Sequence, residues 1–192
     1  MEDPSAVALG NNCFAGIASD AVLMVPGGTT AQYEAQGWGS YFANIEEIPI
    51  ELTITLGAAG IATYCNELDL TFPQGNDLKA YIASGFNPTT GVLTLTRVYD
   101  VPGRTGLVLK GTPGTYTVQV LTTNSVYANL LKGTTEEIEL SPTDEWYTNL
   151  ILKSVDGIIS FYQLSEAGPL GAGKAYLQIP TSKIPASTRR VV

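Results

Sequence analysis

The chain has 192 residues, a formal net charge of −8, and 44% hydrophobic against 15% charged residues. This balance argues against a disordered chain and against long charged helices, and a chain of this length can fold without a metal or a disulfide. The acidic charge argues against nucleic acid as a partner, because phosphate binding needs clustered lysine and arginine. No apolar run approaches the roughly 18 residues that cross a membrane, so we predict no membrane span.

Residues 1–50 differ in pattern from the rest of the chain. A short apolar strand is predicted at residues 23–26, followed by two glycines that turn the chain. A short helix of good helix formers is predicted at residues 31–36, with the hydroxyl of Thr29 or Thr30 as its N-terminal cap. Four apolar residues then follow at helical spacing and are predicted to share one face of a second helical turn. These residues are Trp38, Tyr41, Phe42 and Ile45.

From residue 51 onward, apolar and polar residues alternate with the period of two that is typical of half-buried strands. About nine strands are predicted, at spacings typical of a sandwich or barrel. They are drawn from ten candidate segments, residues 51–56, 61–65, 68–72, 78–83, 92–98, 107–109, 116–120, 146–152, 158–164 and 175–179. Residues 124–133 are mixed in pattern and are compatible with one helical turn. The predicted fold is mainly β: an antiparallel β-sandwich or barrel (51–192) after a small cap with one or two short helices (1–50).

Two hairpins carry the strongest local signals. Gly111–Gly114 lies between two apolar runs and combines a proline with two glycines, so residues 107–120 are predicted to form a central hairpin. Asp156-Gly157 lies between the strands predicted at 146–152 and 158–164. This dipeptide favours a type I′ turn, because both of its positions require positive φ.

The two cysteines, Cys13 and Cys65, lie among apolar neighbours. A disulfide between them is one alternative, and two buried thiols are the other. We favour the buried thiols, because buried free cysteine behaves as a small apolar residue.

Few residues in the chain are suited to catalysis. It contains no histidine, which removes the commonest general base and the usual zinc ligand, and no phosphate-binding glycine loop leads into a helix. Acidic residues occur in clusters, of which Asp144-Glu145 is one, but adjacent strand residues point to opposite faces and cannot form a glycosidase pair. We therefore predict a non-enzymatic protein without cofactor or metal. A glycoside-active enzyme is the third alternative for its function.

Aromatic side chains are the best candidates for ligand contact. Trp146 and Tyr147 are consecutive, so one of them must face away from the core if both lie on a strand. Tyr81 and Tyr176 each follow a Lys-Ala pair in a predicted strand. Stacking on a sugar or on a partner protein is one interpretation, and packing on a half-buried sheet is the other.

Residues 5–48 resemble the last repeat and the C-terminal cap of a BspA-like leucine-rich repeat protein. Asn12–Gly16 stands in the place of the repeat kernel of that family. The closing motif of the family is matched by Leu23, Val25–Gly27, Tyr33, Trp38, Phe42, Ile45 and Glu46. Such repeats normally stack in numbers, because one repeat cannot bury its own face. The resemblance therefore implies a piece of a longer chain.

Residues 52–179 resemble the β-rich C-terminal module of secreted and surface proteins of gut anaerobes. The shared pattern comprises Gly60–Tyr64, Lys79–Tyr81, Val101–Val118, Asn129–Thr134 and Lys174–Leu177. The resemblance implies an extracellular or cell-surface location, a structural or adhesive role and contact with host proteins or glycans. It brings no catalytic residues. A carbohydrate-binding module that uses exposed aromatics is the alternative, and self-association through an apolar edge of the cut repeat is a further expectation.

Overall fold

The computed structural model describes residues 13–184 and 190–191. The chain is mainly β, with antiparallel sheets and short helices as predicted, and no sheet of the described residues closes into a barrel. It divides into two compact units, Met1–Leu52 and Thr53–Val192. Asn12 and the rest of the predicted repeat at residues 5–12 lie outside the described residues.

The N-terminal unit contains one parallel strand pair with a helical connection. Its elements are β1 (Val22–Pro26), α1 (Thr30–Ala35), a 3-10 helix (Trp38–Ser40) and β2 (Asn44–Ile48). β1 pairs with β2 in parallel, with Val22 opposite Asn44. The predicted strand and first helix are therefore present.

The cap of α1 differs from the predicted one. The Thr29 hydroxyl donates to Pro26 O instead of capping the helix. The Glu47 carboxylate of β2 accepts from Thr30 N–H (3.1 Å) and Thr30 Oγ1 (2.8 Å). Hydrogen bonds from the Gly28 and Thr30 backbone lower the pKa of Glu47 below its usual value. The first turn of the helix thus binds a carboxylate that is distant in sequence.

Aromatic residues form the interior of the N-terminal unit. Trp38 and Phe42 are buried and contact Phe14, whose ring centroid lies 5.7 Å and 5.0 Å from theirs. The prediction that four residues share one helical face is wrong. Tyr41 is 39% exposed, and Ile45 lies in β2, because the chain leaves the helical conformation after the short 3-10 turn.

The remaining strands build three larger sheets and one strand pair. They are β3 (Glu51–Leu56), β4 (Ile61–Tyr64), β5 (Leu70–Thr71), β6 (Lys79–Asn87), β7 (Val92–Val98), β8 (Asp100–Val101), β9 (Leu107–Lys110), β10 (Gly114–Val120), β11 (Leu131–Thr134), β12 (Ile138–Leu140), β13 (Tyr147–Val155), β14 (Ile158–Gln163), β15 (Gly168–Leu170), β16 (Lys174–Pro180) and β17 (Arg190–Val191), with a 3-10 helix at Thr181–Lys183 before β17. The sheet orders are β3-β10-β5-β8, β4-β9-β6-β7 and β11-β16-β13-β14-β17, and β12 pairs with β15.

In the β4-β9-β6-β7 sheet, which we name the middle sheet, strand β9 is buried on both faces. Leu107, Val108 and Leu109 are consecutive in β9, and none is more than 1% exposed. Val108 packs in one core cluster with Leu150 and Leu177 of the five-stranded sheet. Because Leu107 and Leu109 point to the opposite face, that face is also removed from water. The short unbroken apolar run of β9 is therefore typical of a fully buried strand.

The predicted central hairpin is wrong. β9 pairs with β4 and β6, whereas β10 belongs to the sheet of β3 and β5. The turn between them connects two layers, and Asp77 holds it by accepting from Thr112 N–H and the Tyr116 hydroxyl, both at 2.8 Å. A sequence pattern that favours a turn does not decide whether the flanking strands pair with each other.

The hairpin predicted at Asp156-Gly157 is confirmed. β6 and β7 form an antiparallel hairpin, as do β13 and β14. At the tip of the second hairpin, Asp156 and Gly157 have φ values of 51° and 77°, as a type I′ turn requires.

Two elements that the sequence pattern allows are shortened or missing because side chains bind the backbone. The helical turn compatible with residues 124–133 is absent, and Asn129 holds this extended segment by accepting from Ala83 N–H (3.0 Å) and donating to Gly106 O (2.7 Å). The strand predicted at 68–72 shrinks to β5. There Asp69 accepts from Gly103 N–H (2.7 Å) and Thr123 N–H (2.9 Å).

The two cysteines have different environments. Cys65 is a free thiol and is 1% exposed, as predicted. Cys13 is exposed, contrary to the prediction, because it lies in a surface turn of the N-terminal unit. Within the described part of the chain, no helix has the length and apolar character that a membrane span needs.

Candidate functional site

The most conspicuous surface feature is Trp146, whose side chain is 67% exposed. It lies immediately before β13, in a turn of residues 143–147 that we name the Trp146 turn. Most of a tryptophan side chain is apolar, and leaving it in water forgoes a large stabilisation by burial. An exposed tryptophan is therefore a candidate contact residue.

The carboxylate of Asp144 organises this turn. Its Oδ1 accepts from the Trp146 N–H (2.9 Å) and the Tyr147 N–H (2.7 Å). Its Oδ2 accepts from Gln178 Nε2 on β16 at 3.1 Å. A single side chain thus fixes the local turn and attaches it to the neighbouring strand.

Backbone hydrogen bonds hold the same turn on both sides. Asp144 N–H donates to Tyr147 O (3.0 Å), and Thr181 N–H donates to Trp146 O (2.9 Å). The Trp146 backbone is therefore constrained by hydrogen bonds before any ligand arrives. A partner that stacks on this side chain would lose less conformational entropy than one that has to order a loose loop.

The strand register extends the site along the outer face of the five-stranded sheet. Tyr147 lies opposite Pro180, and Asn149 lies opposite Gln178. Because side chains alternate along a strand, Tyr176 shares the face of Gln178. Partial burial, and secondarily the negative charge of Asp144, raise the pKa of Tyr176 above its usual value.

The buried side-chain amide of Asn149 also stabilises the site. Asn149 is 4% exposed, and its Nδ2 donates to Ser141 O at 3.0 Å. Its Oδ1 accepts from Gln178 Nε2 at 3.3 Å. Gln178 is therefore held between Asp144 and Asn149, and the polar rim of the site is ordered as well as its aromatic part.

The structure places three of the four aromatic candidates named from the sequence on the β13–β16 strand pair or directly before it. Trp146, Tyr147 (38% exposed) and Tyr176 (partly buried) belong to the same region of β13 and β16. Tyr81 lies elsewhere, on β6 of the middle sheet, where it packs against the core cluster. The Lys110 ammonium lies 6.0 Å from the centroid of its ring.

Sequence reasoning missed Asp144 and Gln178 as parts of the site. Asp144 was considered only as a member of a carboxylate cluster, although an aspartate two residues before a tryptophan is a recognisable turn signal. The position of Gln178 has no such signal, because its contact with Asp144 depends on the pairing of β13 with β16.

Across residues 13–184 and 190–191, no three His, Cys, Asp or Glu side chains are grouped as metal ligands. Burial raises the pKa of the Cys65 thiol to about 11, so at neutral pH it is protonated and a poor nucleophile.

Comparisons with protein-family models, with curated proteins and with solved structures each found no match. The family resemblance described above therefore rests on the sequence motifs alone.

Proposed function

We propose that this protein is a non-enzymatic binding protein with a structural or adhesive role, and that the Trp146 turn is its contact site. The observation that carries the proposal is a largely exposed tryptophan on a turn that Asp144 holds in place. Tryptophan is enriched among the residues that dominate binding energy at protein interfaces. Partners would be host extracellular proteins or glycans.

We also propose that the N-terminal unit is the end of a leucine-rich repeat array, and the spacing of its strands supports this. Val22 of β1 pairs in parallel with Asn44 of β2, an offset of 22 residues, with helical turns between the strands. Leucine-rich repeats span roughly 20–29 residues and contribute one strand plus one helical segment each. One strand–helix–strand step of this chain has that spacing and order.

An extracellular or cell-surface location is part of the proposal. It rests on the motifs shared with BspA-like proteins and with the β-rich module. Fractionation of the cells that produce the protein, with an antibody against this chain, tests it. Recovery in the cytosolic fraction alone would contradict the proposed location.

A carbohydrate-binding module is the second candidate, and the exposure of Trp146 favours it. The face of an indole ring carries partial negative charge and attracts the weakly positive C–H groups of a sugar ring. Asp144 in the turn and Gln178 on the neighbouring strand offer carboxylate and amide groups for sugar hydroxyls. This arrangement of an apolar platform with a few polar groups is typical of small-molecule sites.

A binding screen tests the contact site and separates the two candidates. The chain is applied to an array of glycans and extracellular-matrix proteins, beside the variants Trp146→Ala and Tyr99→Ala. Tyr99 is the matched control, because it is an aromatic of 39% exposure that lies away from the Trp146 turn. We expect Trp146→Ala to lose at least about tenfold in affinity, as central aromatic contacts typically do, and Tyr99→Ala to bind normally.

The class of captured molecule decides between the candidates. Capture of matrix proteins that survives removal of their glycans supports the adhesive role, whereas capture of isolated glycans supports the carbohydrate-binding module. Equal binding by the Trp146→Ala variant and the unmodified chain would refute the proposed contact site in both cases.

Self-association through the N-terminal unit remains a prediction. Val22 and Met24 of β1 are 42% and 49% exposed and share one face of the strand pair. Apolar residues on such a face favour contact with another copy. We expect a concentration-dependent dimer in sedimentation that Met24→Glu abolishes. A strict monomer at high concentration would contradict this prediction.

A further inference from the structure

The ladder between β13 and β16 opens part of the way along. Four residue pairs run from Tyr147 with Pro180 to Leu150 with Leu177. Beyond that point, within the described chain, residues 151–155 of β13 pair only with β14, and residues 174–176 of β16 pair only with β11. We name this opening the β13–β16 gap.

A cavity of about 400 Å³ occupies the gap. Residues 151–154 and 174–175 form its two walls, and residues 61–63 of β4 in the middle sheet form its floor. Ala59, Ile159, Leu170 and Gly171 complete its lining. Its size falls within the roughly 300–1,000 Å³ of ligand-binding pockets.

The register explains why the ladder opens. If the pairing continued beyond Leu150 and Leu177, Lys153 would lie directly opposite Lys174 on the outer face of the sheet. Like charges at directly opposite positions destabilise a strand pair. Both lysines are exposed, and neither forms a salt bridge with a described residue. The Lys153 ammonium instead lies 5.6 Å from the centroid of the Tyr162 ring.

The walls of the gap offer backbone hydrogen-bonding groups. Gln178 N–H donates to Leu130 O on the β11 side, so the backbone groups of Leu177 point toward β13. The backbone N–H and C=O groups of successive residues point alternately to the two sides of a strand. The groups of Ala175 therefore point into the gap from β16, and those of Leu152 point into it from β13. Strand edges of this kind are templates for the addition of another strand.

The two faces of the gap differ in chemistry. Leu152 and Ala175 lie on the inner face, above Ile61 of the floor. Lys153 and Lys174 lie on the outer face, one on each wall. The lining contains no aspartate or glutamate, although the whole chain has a net charge of −8. The gap is thus apolar toward the core and positive toward solvent.

We propose that the β13–β16 gap binds an extended, acidic peptide segment of a partner protein as an added strand. Side chains of such a segment alternate between the faces. A segment with the order apolar–acidic–apolar would place its carboxylate between Lys153 and Lys174 and its apolar neighbours over Ile61. Main-chain hydrogen bonds supply affinity in this mode of recognition, and the alternate side chains supply specificity. This site is separate from the Trp146 turn and does not depend on its function.

A charge-matched peptide series tests the proposal. The probes are fluorescein-labelled acetyl-Thr-Val-Glu-Val-Thr-amide and the same peptide with Gln in place of Glu, measured by fluorescence anisotropy. We expect the Glu peptide to bind about tenfold more tightly to the unmodified chain, because two lysines face its carboxylate. In the double variant Lys153→Gln, Lys174→Gln we expect this preference to vanish, since the charge partners are gone.

Lys183→Gln is the matched control, because Lys183 is an exposed lysine in the 3-10 helix after β16. It should keep the tenfold preference. Equal affinity of the unmodified chain for the Glu and Gln peptides would overturn the proposal. A preference that persists in the double variant, or disappears in Lys183→Gln, would also overturn it.

Hydrogen exchange distinguishes strand addition from simple charge attraction. Binding of the Glu peptide should slow amide exchange at Leu152 and Ala175, with little change at the already paired Leu177. If the chain is saturated with the peptide and amide exchange at Leu152 and Ala175 is not slowed, the segment does not enter the gap. Equally tight binding of butyrate would show a site for small anions and would refute a peptide site.

Discussion

The two ends of the β13–β16 strand pair differ although the same two strands form them. At the Trp146 turn the ladder is closed, and Asp144 reaches across it to Gln178. At the other end the strands separate where Lys153 and Lys174 would face each other, and a cavity of about 400 Å³ opens. One end presents an ordered aromatic, and the other presents unpaired strand edges between two positive charges.

The difference indicates that side chains at individual positions decide how far along a given strand pair the ladder stays closed. Leu150 and Leu177 are both 0% exposed and form the last closed pair. Three positions further along, Lys153 and Lys174 are exposed, and continued pairing would place these like charges directly opposite each other. A strand pair can therefore be stable at one end and receptive to a ligand at the other.

The largest expected effect comes from breaking the last closed pair with Leu150→Ala. This change removes a fully buried side chain from the core cluster and leaves a cavity, so we expect the free energy of unfolding to fall by about 2–5 kcal/mol. Denaturant titration measures it. Ile158→Ala is the control, because Ile158 is 49% exposed, and it should cost about 0.5 kcal/mol or less. A loss below about 1 kcal/mol for Leu150→Ala would contradict the assignment of this pair to the core.

The second-largest expected effect is a loss of stability at the closed end in the variant Asp144→Ala. Two backbone N–H groups lose their acceptor, so we expect a loss of about 0.5–2 kcal/mol in the free energy of unfolding. Amide exchange at Trp146 and Tyr147 should become faster in the folded protein. Glu145→Ala is the matched control, since Glu145 is the adjacent exposed carboxylate. Unchanged exchange in Asp144→Ala would show that Asp144 does not organise the turn.

A smaller effect is expected from Lys174→Glu at the open end. Opposite charges would then face each other across the gap, so we expect the free energy of unfolding to rise by about 0.2–1 kcal/mol. Lys174→Gln should give a smaller rise, because it only removes the repulsion. High salt should reduce both gains by screening. An equal or lower stability of Lys174→Glu compared with the unmodified chain would contradict charge repulsion as the cause of the gap.

The smallest effect is a change in the titration of Tyr176. Its pKa is raised mainly by burial and secondarily by Asp144, so Asp144→Asn should lower it only part of the way toward the usual value. Absorbance of the tyrosinate during an alkaline titration measures it, with Tyr176→Phe identifying the signal. Above the ordinary pKa of tyrosine, the unfolded chain releases this proton first, so rising pH lowers the stability of the fold. A pKa that rises in Asp144→Asn would be inconsistent with the negative charge as a cause.

Local features of the fold could be predicted from the sequence because neighbouring residues determine them. The Asp156-Gly157 turn and the β6–β7 hairpin depend on residues within one turn of the chain. The alternation in β3 likewise predicts which side chains are buried. The candidate role of Trp146 followed from its position beside Tyr147 in a predicted strand.

Features that join distant segments could not be predicted in this way. The Glu47 cap of α1 and the contact of Asp144 with Gln178 depend on strand pairs formed by separate parts of the chain. The turn at Gly111 has the composition of a hairpin turn, but its flanking strands belong to different layers.

The sequence by itself determined the mainly β character, the positions of most turns and the acidic, histidine-free surface chemistry, because these follow from backbone preferences and composition. Only the tertiary structure decided which strands share a sheet and that β9 is buried on both faces. It also ended the β13–β16 ladder before Lys153 and Lys174 could pair. Strand partners are chosen by burial of apolar faces across the whole unit, and that choice is not encoded in any short stretch of residues.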